Sequence, residues 1–377
     1  MRDELPRLGQ WHRAGETIAV ATVIATSNSA PRPPGAALGL HPDGRVVGSV
    51  SGGCVEADVT EIAAEVLRTS RPVRRQYGIA DADALAVGLT CGGTIEVFVR
   101  PVSPAGLNLE DLAARVEDGQ PVATATIVEW PEEDEPLGRT LLVTPDDLEG
   151  TTGVRRVDEA VAEAARGQLA HGSTGLVHLG REGERRGADV GVFIQSFAPP
   201  PRMIVFGATD FAAATASIGS YLGYHVTVCD ARAPFTTRAR FPQAHEVVVE
   251  WPHRYLDATE VDERTVICVL THDPKFDVPL LEKALATPAA YVGAMGSRRT
   301  DADRRQRLLD QGVDPAALER LHSPIGLDLG ASTPQETAVS IAAEIVLRQY
   351  RGSGRPLREL EGAIHRPRGA EQRVGTT

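Results

Sequence analysis

The sequence contains few cysteines and few aromatic residues, and it lacks long hydrophobic runs. Its four cysteines, in a chain of 377 residues, are widely spaced and form no CxxC pair. This excludes a disulfide framework and argues against a zinc site. No apolar run approaches the ~18 residues that span a bilayer, and the charged amino terminus does not match a secretory signal. We therefore expect a cytoplasmic protein that has no membrane partner.

Basic residues are also in deficit, since 39 Lys and Arg stand against 51 Asp and Glu and give a formal net charge of −12. Nucleic acids and anionic membranes require a clustered cationic surface, so we expect neither as a partner. Positive charge is concentrated in residues 351–377, for which the Gly, Arg and Pro content predicts a flexible basic tail. The alternative is a peptide that docks on a partner.

The order of apolar segments predicts two domains, 1–200 and 201–350, separated by a cluster of three prolines. The first contains the order strand, hairpin, helix, strand twice, at about 15–104 and 120–198. This pattern predicts a duplicated α+β domain, and two unrelated lobes are the alternative. The second alternates short apolar strands with helices, which is typical of a Rossmann-like, doubly wound parallel sheet. The predicted fold class is therefore α/β.

Two of the cysteines lie in glycine turns, SGGC and TCGG, which occur only in the first copy of the repeat. We predict that the helix after SGGC holds Cys54 and Glu56 in its first turn, where helix N–H groups favour a thiolate. Cys54 and Cys91 are therefore candidates for reactive or metal-ligating sulfur. The alternative for both is packing as a small buried residue. Cys229 and Cys268 lie inside apolar strands and are assigned to the core.

Two arginine-containing segments are candidates for anion binding. Arg32 lies in a proline-stiffened loop, where a guanidinium can bind phosphate or carboxylate at little cost in entropy. Ser297 opens a helix that begins with Arg298 and Arg299, so backbone N–H groups and positive charge coincide. An ordinary surface arginine and a solvated basic helix start are the respective alternatives.

The Rossmann-like domain begins with an incomplete dinucleotide fingerprint. Gly207 supplies the first glycine, but Thr209 occupies the place of the second, where a pyrophosphate would approach. Asp230 ends the second strand, where a carboxylate could bind a ribose hydroxyl, although an arginine follows two places later. NAD(P) binding is therefore a hypothesis. It would imply an NAD(P)-dependent oxidoreductase, with His272 and Asp273 as acid–base candidates.

Taken together, these segments resemble the XdhC/CoxI family of accessory factors, which mature molybdenum hydroxylases such as xanthine dehydrogenase and carbon monoxide dehydrogenase. The resemblance extends from about Thr17 to Arg348. It rests on SAPRPPGA, GSVSGGCVEADV, LTCGGTIEVFV, PPPRMIVFGA, VTVCDARAPF, LTHDPKFDVPLLEKAL, YVGAMGSRR and PIGLDLGASTPQETAVSIAAEI. It implies a non-catalytic carrier that binds molybdenum cofactor (molybdopterin), cooperates with a cysteine desulfurase and delivers the cofactor to an apo molybdenum hydroxylase.

The resemblance makes Cys54 the first candidate for the sulfur that contacts molybdenum, and Cys91 the second, because a soft thiolate suits a molybdenum–dithiolene centre. The family often has Gly-His where this chain has Thr209 and Asp210, which leaves the task of the Rossmann-like domain open. A scaffold whose sites have decayed is a third interpretation. The hydroxylase served and the oligomeric state, including a homo-oligomer, also stay open. The candidate cofactor-binding residues are Cys54, Cys91, Arg32, Gly52, Gly53, Gly207, Asp230, Ser297, Arg298 and Arg299.

Overall fold

The structure is a computed structural model that describes residues 1–27, 30–78, 93–131, 136–271 and 273–360. The described chain forms two compact units, Met1–Pro199 and Pro200–Leu360. None of the helices in the described segments is both long and apolar enough to cross a bilayer.

The N-terminal unit contains two copies of one arrangement of strands and a helix, each preceded by a short helix. The first part comprises α1 (Leu5–Arg13), β1 (Ile18–Ser27), β2 (Ala37–Leu40), β3 (Val46–Gly48), α2 (Glu56–Thr69), β4 (Val73–Tyr77) and β5 (Thr94–Val102). The second comprises α3 (Leu109–Glu117), β6 (Ala123–Glu129), β7 (Thr140–Val143), β8 (Leu148–Glu149), α4 (Arg155–His171), β9 (Gly175–Leu179) and β10 (Val190–Ser196).

Both copies form antiparallel five-stranded sheets with the same strand order. The first sheet runs β3-β2-β1-β5-β4 and the second β8-β7-β6-β10-β9. The predicted duplicated α+β fold is therefore confirmed. One face of each sheet packs on its own helix, α2 or α4. The opposite faces pack on each other through Ile24, Phe98, Val128 and Phe193, so the central strand β1 is covered on both sides.

The C-terminal unit is a parallel, doubly wound sheet. Its strands have the order β13-β12-β11-β14-β15-β16, and every neighbouring pair is parallel. The predicted Rossmann-like fold is thus confirmed. Its elements are β11 (Arg202–Phe206), α5 (Asp210–Tyr221), β12 (His225–Cys229), β13 (Glu246–Val248), α6 (Pro252–Ala258), β14 (Val266–Val269), α7 (Pro274–Ala286), β15 (Tyr291–Ala294), α8 (Arg298–Asp310), α9 (Pro315–Leu318), β16 (Leu321–His322) and α10 (Pro334–Tyr350).

Apolar residues of the parallel sheet form a core on each of its faces. Cys268 belongs to one core and Cys229 to the other. Both side chains are fully buried, and burial raises the pKa of each thiol to about 12. The assignment of these two cysteines to the core is confirmed. Beyond α10 the chain continues to a short 3₁₀ helix, Leu357–Glu359.

Candidate functional site

Several of the predicted site residues lie at one end of the first sheet. Thr94, the first residue of β5, pairs with Ser27, the last residue of β1. At the same end, the N–H of Ser49 donates to the carbonyl of Ala37 at 2.9 Å. The loop that holds Arg32 therefore leaves the sheet beside residues 49–55, which we call the SGGC turn.

The carboxylate of Glu56 holds the SGGC turn together. It accepts hydrogen bonds from the hydroxyls of Ser49 (2.6 Å) and Ser51 (2.5 Å). It also accepts from the N–H groups of Ser51 (2.9 Å), Gly52 (3.0 Å) and Gly53 (2.8 Å). Burial opposes ionisation, but these bonds outweigh it and lower the pKa of Glu56 to about 2. The turn thus binds an anion that the chain itself supplies.

This arrangement corrects one expectation about Cys54. The helix begins at Glu56, with Val55 as its N-cap, so Cys54 precedes the helix instead of lying in its first turn. The N–H groups expected to favour a thiolate have other acceptors, since those of Cys54 and Val55 donate to the Ser51 hydroxyl at 2.9 and 3.0 Å. Sequence reasoning noted Glu56 but missed its role, because a glutamate three residues after two glycines does not by itself indicate a closed turn.

The two glycines of the turn form an exposed, open surface. Gly52 has φ +78° and Gly53 φ +121°, and a Cβ at either position would meet nothing within 4 Å. Both conformations favour glycine. The surface offers close approach to a ligand, whereas the N–H groups beneath it already donate to Glu56.

Cys54 is half-buried and packs against the core of the first copy, as do Ala30 and Ala36 on either side of Arg32. Arg32 itself is exposed. The structure therefore brings the loop of Arg32 and the cysteine turn to the same core and the same sheet end. Cys91 lies outside the described residues.

In the C-terminal unit, Asp230 is fully engaged by protein groups. Arg232 donates to both of its carboxylate oxygens, from Nε at 2.9 Å and Nη2 at 2.7 Å. The N–H of Ala208 donates to it at 2.7 Å. Burial raises the pKa of Asp230, but the Arg232 and Ala208 bonds outweigh that effect and the net pKa is lowered. A ribose hydroxyl would have to compete with this arginine.

Gly207 has the geometry of a first fingerprint glycine. Its φ is +118°, and a Cβ would come within 2.9 Å of the carbonyl of Leu270. Thr209 instead caps α5, because its side chain accepts from the N–H of Ala212 at 3.2 Å. The close backbone approach at Gly207 is therefore to Leu270, directly after the neighbouring strand β14.

Other predicted residues of this unit cap helices. Asp273 accepts from the N–H of Lys275 at 3.0 Å and opens α7. Ser297 accepts from the N–H of Thr300 at 3.1 Å and opens α8, while Arg298 and Arg299 are exposed. His272 lies outside the described residues. Asp273 thus has a structural role that accounts for its position.

A buried ion pair that the sequence reasoning did not single out connects the strand ends of the C-terminal unit. Arg304 donates to Asp277 at 3.1 Å, and both side chains are almost completely buried. Arg304 also donates to the carbonyl of Met295 (2.7 Å) and the hydroxyl of Ser323 (2.9 Å), while Thr271 donates to Asp277. The loops that follow β14, β15 and β16 are therefore fixed to α8. The available signal was Asp277 itself, four residues into a helix whose neighbours are apolar.

Within the described segments, no group of three or more His, Cys, Asp and Glu residues is placed to hold a metal ion. The predicted metal contact at Cys54 is a single sulfur and does not depend on such a group.

Comparison with known proteins connects both units to one family. The sequence profile of the XdhC and CoxI family matches residues 11–78 and 115–180, one segment in each copy of the repeat. The profile of the XdhC Rossmann domain matches residues 203–345. The matches therefore cover both units.

Two curated relatives align along most of the chain. A Bacillus subtilis protein that is named as a probable xanthine dehydrogenase subunit is 26% identical, covering 89% of this chain and 94% of its own. The molybdenum cofactor insertion chaperone PaoD of Escherichia coli is 25% identical, covering 88% of this chain and 83% of its own. A solved structure from Bacillus halodurans, described as a xanthine dehydrogenase, shares the fold. It has a TM-score of 0.62 and 23% identity, and the match covers 96% of this chain and 98% of that one.

Proposed function

The chain belongs to the XdhC/CoxI family, and we propose that it is an accessory factor that binds molybdenum cofactor and assists its insertion into a molybdenum hydroxylase. The similarity to PaoD, which is named as a cofactor insertion chaperone, supports this role. The similarity to the Bacillus subtilis protein supports a hydroxylase of the xanthine dehydrogenase type as the partner.

The structure of the SGGC turn supports a specific site for the cofactor. It combines a half-buried cysteine with two exposed glycines whose Cβ positions are open. A thiolate is a soft ligand that suits molybdenum, and a glycine surface lets a large planar group approach the backbone. We infer that Cys54 contacts the molybdenum centre and that Gly52 and Gly53 lie against the cofactor.

The phosphate of the cofactor requires a different partner from the turn. The N–H groups of Gly52 and Gly53 donate to Glu56, so a second anion there would have to displace a carboxylate. Arg32 is exposed on a loop at the same sheet end, and a guanidinium binds phosphate by two hydrogen bonds. We assign the phosphate to Arg32 rather than to the turn.

The finer steps of maturation extend this proposal. A cysteine desulfurase would supply the terminal sulfido ligand while the cofactor is held, with Cys91 as a second sulfur contact. In the C-terminal unit, the candidate cofactor-binding residues remain Gly207, Asp230, Ser297, Arg298 and Arg299. To bind a ligand, Asp230 would have to exchange its contact with Arg232 for one with that ligand. A homo-oligomer is part of the same proposal, and light scattering coupled to size exclusion tests it.

Retention of cofactor by the purified protein tests the function. The protein is incubated with molybdenum cofactor and passed through a desalting column, and molybdenum and pterin are measured in the protein fraction. We expect wild type to retain both in equal amounts and Cys54→Ala to retain a small fraction. Cys229→Ala, which removes a buried core thiol, is the matched control and should bind as wild type does.

Two results would contradict the proposal. If wild type retains neither molybdenum nor pterin, the carrier function is wrong. If Cys54→Ala retains as much as wild type, the function can stand but the thiolate site is wrong.

A further inference from the structure

A small cavity lies between the two sheets of the N-terminal unit, and a buried arginine lines it. The cavity measures about 10 Å³, which is the size that holds a single water-sized occupant. Its walls come from β1, β5, β6 and β10, and they include Arg100, Thr22, Thr124 and Gln195. From the charge of this site we propose that the cavity binds a monovalent anion of chloride size beside Arg100.

The charge of Arg100 has no protein partner among the residues that the structure describes. Its side chain is 8% exposed, and no hydrogen bond or ion pair joins its guanidinium to any described residue. Burial alone lowers the pKa of Arg100 to about 10, so the group stays charged at neutral pH. A buried charge without a partner is strongly unfavourable. A counter-ion in the adjoining cavity would remove that cost.

The other lining groups can solvate an anion but do not neutralise Arg100. Thr22 and Thr124 carry hydroxyls that can donate hydrogen bonds. The amide of Gln195 already donates to the carbonyl of Gly35 at 2.9 Å. The α-ammonium of Met1, which also lines the cavity, is paired with Glu4 at 3.0 Å. Arg100 is therefore the uncompensated charge among the described lining residues.

The repeat explains why one anion is expected rather than two. Arg100 pairs with Val20 on β1, and Gln195 pairs with Thr124 on β6. These are corresponding places of the two sheets, because Phe98 and Phe193 precede them by two residues and pair with Thr22 and Thr126. The second copy places a neutral amide where the first places a cation. One uncompensated charge among the described lining residues calls for one counter-ion.

The cavity is too small for the cofactor, so this anion site is distinct from the proposed cofactor site. A volume of about 10 Å³ leaves room for one small occupant but for neither a phosphate nor a pterin. The anion would lie between the two copies and stabilise their packing. It would bind whether or not the cofactor is present.

Halide dependence of stability tests the proposal in the full-length chain. The Tm is measured in sodium chloride, sodium bromide and sodium gluconate at equal ionic strength. Gluconate serves as the control anion because it is too large to enter the cavity. We expect Tm in chloride and bromide to exceed that in gluconate by about 3 °C. Arg100→Met should abolish the difference, whereas Arg75→Met, an exposed arginine on β4, should preserve it.

Bromide also gives a direct readout in crystals of wild type. An anomalous peak at hydrogen-bonding distance from the Arg100 guanidinium is the expected result. Equal Tm values in chloride and gluconate would overturn the proposal, as would a water at this position in bromide crystals. Persistence of the halide effect in Arg100→Met would do the same. If Arg100→Met does not fold, the wild-type titration and the bromide crystals still decide the question.

Discussion

The two copies of the N-terminal repeat close the turn before their helix in different ways. In the first copy Glu56, at the start of α2, accepts hydrogen bonds from three successive backbone N–H groups. In the second copy Asp158, in the first turns of α4, accepts from the hydroxyls of Thr151 and Thr152, each at 2.6 Å. It also accepts from the N–H of Thr152 at 2.7 Å. In both copies, a carboxylate from the helix fixes the preceding turn by hydrogen bonds.

The difference lies in what each turn leaves at the surface. Thr152 and Asp158 are buried, at 4% and 8% exposure, so side chains close the second turn. In the first turn backbone groups supply most of the donors, so positions 52 and 53 need no side chain and can be glycine. The same strand order thus carries a turn held mainly by buried side chains in one copy, and in the other a cysteine-containing turn held mainly by backbone N–H groups. This contrast locates the proposed chemistry in the first copy.

The largest effect is expected from removing the carboxylate of the second copy. Asp158→Ala leaves the hydroxyl and the N–H of the buried Thr152 without this acceptor and also removes the partner of the Thr151 hydroxyl, which costs about 3 kcal/mol of unfolding free energy. Urea denaturation measures the loss. Asp146→Ala, an exposed aspartate of the same copy, is the control and should change stability little. An equal loss in the two variants would contradict the structural role of Asp158.

A smaller and pH-dependent effect is expected from Glu56→Gln. At neutral pH the neutral amide weakens the charged hydrogen bonds of the turn, at a cost of about 2 kcal/mol. The native pKa of Glu56 is lowered from 4.5 to about 2, so its stabilisation is present above pH 4.5 and is lost as pH falls toward 2. The difference between wild type and variant should therefore shrink over that range.

The pH dependence separates the ionised carboxylate from simple packing. Urea denaturation of both proteins between pH 7 and pH 2 provides the measurement. Glu65→Gln, an exposed carboxylate on α2, should track wild type at each pH. A deficit in Glu56→Gln that stays constant down to pH 2 would show that charge is not the cause.

Much of the fold follows from the sequence, because long periodic segments dominate it. Strands such as β1 and β14 are largely apolar, and the order of such segments predicts both the duplication and the parallel sheet. The strand β16 was not predicted, since Leu321–His322 is only two residues long and has no periodicity of its own. It exists because it adds to the edge of β15.

The site was less predictable, because its hydrogen bonds depend on the conformation of the turns, which the residue types alone do not specify. The sequence locates Cys54 beside two glycines but does not reveal that Glu56 satisfies their N–H groups. It places Asp230 at a strand end, yet the pairing of Asp230 with Arg232 depends on the loop conformation. Arg100, which has no partner among the residues that the structure describes, gives no signal in the sequence, since an arginine in a strand is ordinarily exposed.

The smallest effect on stability is expected from replacing one glycine in each turn, and this pair of variants tests the contrast between the copies most directly. Gly52 and Gly153 both have positive φ, +78° and +95°, and a Cβ added at either position would have little or nothing near it. Replacing either by alanine therefore costs about 1 kcal/mol through backbone strain alone. Only Gly52→Ala adds a methyl group to the surface proposed to face the cofactor. We expect reduced molybdenum and pterin retention for Gly52→Ala and wild-type retention for Gly153→Ala, and equal retention would move the cofactor away from the SGGC turn.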